Sequence, residues 1–120
     1  MTFPGLEAFL HQVGELGLEI HVTELDVSDR LLPADVATRD RAVAKLTRAF
    51  MDAVLAVPAV KAVLTWGLTD RYSVLNTKRP YKRSRTDGIP SRGLPLDSEL
   101  RRKPMWEAIA QALAGAPARA

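Results

Sequence analysis

The sequence predicts an α/β fold of three helices and two parallel strands. Three observations carry that expectation. Apolar residues recur at helical spacing in three separate segments, two short β-branched runs lie between them, and Gly and Pro punctuate the junctions. The order is helix, strand, helix, strand, helix. A strand, a crossover helix and a second strand form a βαβ unit, which favours a parallel pair. Parallel strands are normally covered on both faces and flanked by further strands. Two strands leave two unpaired edges, so the pattern reads as a piece of a larger α/β fold.

Each element has its own signal. Leu6, Phe9, Leu10, Val13 and Leu16 make one apolar stripe, and Gly17 supplies a helix stop. A strand is expected from Leu18, with Leu18, Ile20, Val22 and Glu24 on one face and Glu19, His21 and Thr23 on the other. A second helix is expected over residues 36–57, with the stripe Val43, Leu46, Phe50, Ala53, Val54 and Val57. Asp35 or Thr38 is its N-cap, and Pro58 ends it. Residues 60–66, VKAVLTW, read as the second strand. A long Gly, Pro and basic segment spans residues 67–102. At about 36 residues it exceeds the usual connection, which points to function or disorder rather than tight packing. Pro104 opens a last helix with the stripe Trp106, Ile109, Ala110 and Leu113, closed by Gly115 and Pro117.

Composition narrows the classes. The 120 residues suit one domain, and a 47% hydrophobic fraction argues against disorder. No apolar run approaches the roughly 20 residues of a membrane helix, so no membrane partner is expected. The opening MTFPGLEAFL lacks a basic start followed by a long apolar core, so no signal peptide is expected. With no Cys, disulfides and thiolate chemistry are excluded. Net charge is +3, with a basic concentration between Lys78 and Lys103 that reads first as a solvated loop able to meet anions. A nucleic-acid module would need aromatic residues interleaved with those cations. Only Tyr72 and Tyr81 qualify, so no nucleic-acid partner is expected.

In α/β folds, functional side chains gather at the C-terminal ends of the strands. The first strand ends in Glu24 with Asp26 just beyond, and the second ends in Trp66 followed by Gly-Leu-Thr-Asp. A carboxylate and an indole at adjacent rims suit a carbohydrate: the ring stacks on a sugar face while the carboxylate attacks or stabilises an oxocarbenium centre. The bland alternative is an acidic strand end and a Trp that fills core.

Three stretches, LGLEIHVTELDV, VKAVLTWGLTDRYSVL and GLPLDSELRRKPMWEAIAQAL, lie in order and spacing across essentially the whole chain. Together they resemble the C-terminal part of glycoside hydrolase family 10, the retaining endo-1,4-β-xylanases. The resemblance implies residues 1–120 as part of a (β/α)₈ TIM barrel, namely strands 7 and 8 with flanking helices. It implies xylan-type polysaccharide as substrate and no cofactor or metal. Its members are typically secreted or periplasmic.

Carried over by position, Glu24 matches the nucleophile, and Asp26 matches a residue that orients a histidine from an earlier strand. Trp66 matches an indole beside the scissile bond. Arg71 and Tyr72, in the loop after the last strand, are the further substrate-binding candidates. His21, on the face opposite Glu24 by strand parity, is a poor stand-in for that histidine, and His11 reads as a surface residue. Two departures stand out. Val74 occupies a position where the family has Trp, and no Asn-Glu acid/base motif occurs, Asn76 being the only Asn. Asp70 is the nearest carboxylate that could replace the acid/base, and its loop position favours a structural role. The implied partners are therefore the polysaccharide and either the N-terminal barrel portion or a second copy of the chain.

Overall fold

The computed structural model describes residues 2–77 and 81–119. Its elements follow the expected order: α1 (Pro4–Glu15), β1 (Ile20–Leu25), α2 (Val36–Leu55), β2 (Val60–Thr65) and α3 (Pro104–Ala114). Two single 3-10 turns, Asp70–Tyr72 and Val74–Asn76, follow β2. Asp35, not Thr38, caps α2: its carboxylate accepts the Thr38 N–H at 2.8 Å. Pro4 and Pro104 open α1 and α3, where a missing N–H costs nothing. Gly17 takes φ +79° just beyond α1, as its role as a stop requires. Among the described residues no helix is long and apolar enough to cross a membrane.

β1 and β2 pair in parallel, with Ile20 opposite Val60, His21 opposite Ala62, Val22 opposite Val63 and Leu25 opposite Thr65. The register slips twice, between Ile20 and His21 and between Val22 and Leu25. The second slip corrects the expected alternation. Ile20 and Val22 pack against the core, and the next residue to join them is Leu25, at 8% exposure, rather than Glu24. An irregular strand pairing resets which face a side chain takes. Glu24 is exposed, as are His21 and Thr23, and lines a groove with Val22, Leu25, Leu46 and Phe50.

The core lies between the sheet and the helices. Val43, Met51 and Val54 of α2 meet Val57, Val60, Leu25 and Val27, and Met105 and Ala112 of α3 close it. The expected α3 stripe is displaced: Met105, Ala108 and Ala112 are the buried positions, while Leu113 is 53% exposed. Two alanines on that face let α3 approach α2 closely, and Trp106 instead lies beneath the Arg102 guanidinium, 3.9 Å from its ring centre. Of the α1 stripe only Leu10 is buried, because nothing among the described residues covers Phe9 or Leu16. The uncovered α1 positions and the two-stranded sheet are those of a partial barrel.

The long segment after β2 is packed rather than loose, contrary to expectation. Leu94 and Ser91 are buried, and backbone bonds tie Asp70 N–H to the Leu96 carbonyl and Val27 N–H to the Gly93 carbonyl, each at 3.0 Å. Most of its described cations are ion-paired. Arg92 makes two 2.7 Å bonds to Asp40 on α2, Arg101 meets Asp97 at 2.9 Å, and Arg85 pairs with Asp87. Buried Arg39 and Asp29 approach to 3.3 Å. The solvated basic loop expected from the charge pattern is therefore mostly a set of ion pairs. Lys78 and Arg79 lie outside the described residues.

Candidate active site

The two strand ends meet at one backbone bond. Trp66 N–H donates to the Leu25 carbonyl at 2.9 Å, so the indole-bearing residue lies beside the residue that follows Glu24. Both side chains are available: Glu24 is exposed and Trp66 is 50% exposed. Leu64, two residues back, is equally exposed, which puts Leu64 and Trp66 on the uncovered face of β2. Gly67 then turns the chain at φ +99°, and a Cβ there would stand 2.9 Å from Leu94 Cδ1. Glycine is needed after Trp66 for both reasons.

Asp26 has a partner that the sequence did not announce. Its carboxylate is paired with the Arg83 guanidinium, and the Asp26 side chain is 3% exposed. The segment around Arg83 is strapped to the exit of β1 by further bonds. Ser28 Oγ donates to the Arg83 carbonyl, Arg30 Nη1 to the Lys82 carbonyl at 2.7 Å, and Arg85 Nη1 to the Asp29 carbonyl at 2.6 Å. These contacts span more than 50 residues, so no local pattern could have revealed them.

Asp70 is buried, accepts the Leu94 N–H at 3.1 Å and lies 2.7 Å from Lys103 Nζ. Burial pushes its carboxyl above the usual range against the opposing pull of Lys103, and burial likewise lowers the Lys103 ammonium. The structural role expected for Asp70 fits these contacts. Asn76 is structural too: its amide donates to the carbonyls of Asp70 and Ser91 at 3.0 and 2.9 Å and accepts the Ser91 N–H at 2.7 Å.

Arg71 and Tyr72 follow Asp70 on the 3-10 turn, both exposed, Tyr72 at 76%. Val74 is half-buried in the next turn. His21 is exposed, and His11 is exposed on α1. No group of three His, Cys, Asp or Glu among the described residues could hold a metal. The arrangement offers an accessible carboxylate and an accessible indole at adjacent strand ends. The neighbouring carboxylates Asp26 and Asp70 are already committed to cations.

Among solved structures, xylanase 10B from Thermotoga maritima superposes with a TM-score of 0.74 at 27% identity, covering 95% of this chain and 32% of that one. Xylanase 10B from Thermotoga petrophila, in complex with xylobiose, gives 0.71 at 30% identity, covering 90% and 30%. The endo-1,4-β-xylanase XylE of Penicillium canescens gives 0.76 at 23% identity, covering 98% and 33%, a likeness of fold. This chain thus spans about a third of the length of the structures it matches, as a partial (β/α)₈ barrel. The model of glycosyl hydrolase family 10 matches residues 2–112. The chain belongs to glycosyl hydrolase family 10.

Proposed function

We propose that this chain forms the nucleophile-bearing section of a retaining β-1,4-xylanase barrel, with β1 and β2 as its last two strands and xylan-type polysaccharide as substrate. The observation that carries the reading is that Glu24 and Trp66, both exposed, stand at adjacent strand ends of a family 10 chain. Glu24 attacks the anomeric carbon and forms the glycosyl-enzyme intermediate. Trp66 stacks on the sugar beside the scissile bond, and Arg71 and Tyr72 contact the chain further along. Asp26, held by Arg83, fixes the backbone two residues after the nucleophile.

Retention also needs a carboxyl acid/base about 5–5.5 Å from the nucleophile. A raised carboxyl is what a general acid requires, and Asp70 has one. Yet its proton site is buried against Lys103, out of reach of a leaving oxygen. The acid/base therefore comes from outside these 120 residues. The xylobiose bound by the Thermotoga petrophila enzyme supports the substrate class.

The test is a chimera in which residues 2–112 replace the matching third of the Thermotoga maritima xylanase. It should release reducing sugar from xylan, and Glu24→Ala should lower kcat by several orders of magnitude. A folded chimera whose activity survives Glu24→Ala would overturn the nucleophile assignment. The 120-residue chain alone should release none; steady release lost on Glu24→Ala would show that the acid/base lies within it.

A further inference from the structure

Most described cations of the segment after β2 are committed to carboxylates, but Lys82 of that segment is not, nor are Arg30 and Lys45 before it. Among the described residues these three make no ion pair, and together with Arg83, which pairs with Asp26, they line one groove of about 550 Å³ beside α2. Its floor is aliphatic, formed by Leu32, Ala42 and Leu46, and Leu31 stands at its rim with 93% exposure. No carboxylate lines it. An apolar floor ringed by unpaired positive charge fits an occupant with an aliphatic anchor between carboxylates. The lack of an aromatic ring in the lining disfavours a sugar, which would stack on one.

The chain itself carries such an occupant. In the turn between α1 and β1, Leu16 and Leu18 are 76% and 55% exposed, and Glu15 and Glu19 flank them, exposed and with no ion pair among the described residues. This turn enters β1 at Ile20, whereas the groove is built on the residues after β1 ends at Leu25. The two patches thus lie at opposite ends of a six-residue strand, about 20 Å apart, and cannot meet within one molecule.

We propose that the 15–19 turn of one copy docks into the Arg30–Lys45–Lys82 groove of another. The contact is heterologous, with two different surfaces meeting head to tail, so each added copy exposes a fresh turn at one end and a fresh groove at the other. Association grows with concentration instead of stopping at a dimer. It weakens with salt, because the three cations and two glutamates are exposed.

Sedimentation velocity of the full 120-residue chain from about 10 μM to 1 mM tests this, at roughly 50 and 500 mM NaCl, the higher salt shortening the Debye length several-fold. The weight-average sedimentation coefficient should rise with concentration at low salt and flatten at high salt. Leu31→Asp and Leu16→Lys should each give a monomer with unchanged circular dichroism and melting temperature. The decisive arm mixes a Lys45→Glu/Lys82→Glu chain with a Glu15→Lys/Glu19→Lys chain. Neither should associate alone, and the mixture should regain association, because the wild-type turn of one chain meets the wild-type groove of the other and the two charge-reversed surfaces are again complementary. A monomer at every concentration and salt overturns the proposal. So does association that is lost on Lys45→Glu/Lys82→Glu yet untouched by Glu15→Lys/Glu19→Lys, which would assign the groove to a different acidic segment.

Discussion

Lys103 Nζ stands 2.7 Å from Asp70 Oδ2, with side chains 3% and 5% exposed, and this pair joins the start of α3 to the turn that bears Arg71 and Tyr72. Burial raises the carboxyl and lowers the ammonium, each against the opposing pull of its partner. Removing one partner strands the other, and Lys103→Met should destabilise by about 3–5 kcal/mol in urea melts. The double variant Asp70→Asn/Lys103→Met should lose less than Lys103→Met alone, since it leaves no buried charge. The pH dependence follows from the directions. The raised Asp70 contribution is present below its ordinary value of 3.8 and fades as pH rises through the folded pKa. The lowered Lys103 contribution is present above 10.5 and fades as pH falls through its folded pKa. Relative to the double variant, wild type should therefore gain stability at both pH extremes.

Gly93 is where the long segment crosses the exit of β1. A Cβ there would stand 2.0 Å from the Val27 carbonyl oxygen, and the Gly93 carbonyl itself accepts the Val27 N–H at 3.0 Å. Backbone on both sides leaves no flexible atom to give way. Gly93→Ala should cost more than about 3 kcal/mol, measured by denaturant melts. Gly5→Ala on α1, with nothing within 4 Å of the added methyl, should be neutral or stabilise by up to about 1 kcal/mol.

Element order, the parallel pair and the Asp35 cap were legible because each rests on local periodicity or a cap signal within a few residues. The burial of Leu25 in place of Glu24 was not. Counting by twos from Ile20 assumes an unbroken ladder, and the slip between Val22 and Leu25 breaks it. Tertiary partners decided the other misses. The α3 stripe shifted because α2 selects the small residues Ala108 and Ala112 for close contact. The basic segment became a set of ion pairs because Asp29 and Asp40 lie before and within α2, more than 50 residues from Arg85 and Arg92. For the site, Glu24, Asp26 and Trp66 could be named from their motifs, whereas Arg83 as the partner of Asp26 had no sequence signal at all.

Arg119 ties the C-terminal tail to the end of α2. Its guanidinium donates to the carbonyls of Leu55 at 2.6 Å and Val60 at 3.1 Å, bridging the last residue of α2 and the first of β2. A cation at a helix C-terminus also meets the negative end of the helix dipole. Arg119→Ala should cost about 1.5–3 kcal/mol, the range for hydrogen bonds to a charged group, and Arg119→Lys should recover only part, since one ammonium cannot span both carbonyls. Urea melts measure the loss.

Asp87 supplies the clearest acid-side dependence. Hydrogen bonds from the Arg85 guanidinium hold its carboxyl down to about 2 from an ordinary 3.8, with burial pulling the other way and the Ile89 N–H adding to the lowering. Arg85 is itself fixed, 5% exposed and donating to the carbonyls of Asp29 and Leu32 at 2.6 and 3.0 Å, so it stays in place when Asp87 is neutralised. A folded pKa below the unfolded one binds fewer protons in the native state. The stabilisation is therefore complete above 3.8 and drains away as pH falls toward 2. An NMR titration should place the Asp87 carboxyl midpoint near 2, and in Asp87→Asn the acid limb of the stability curve should flatten over that window. A midpoint at the ordinary carboxylate value would mean that the Arg85–Asp87 contact does not persist in solution.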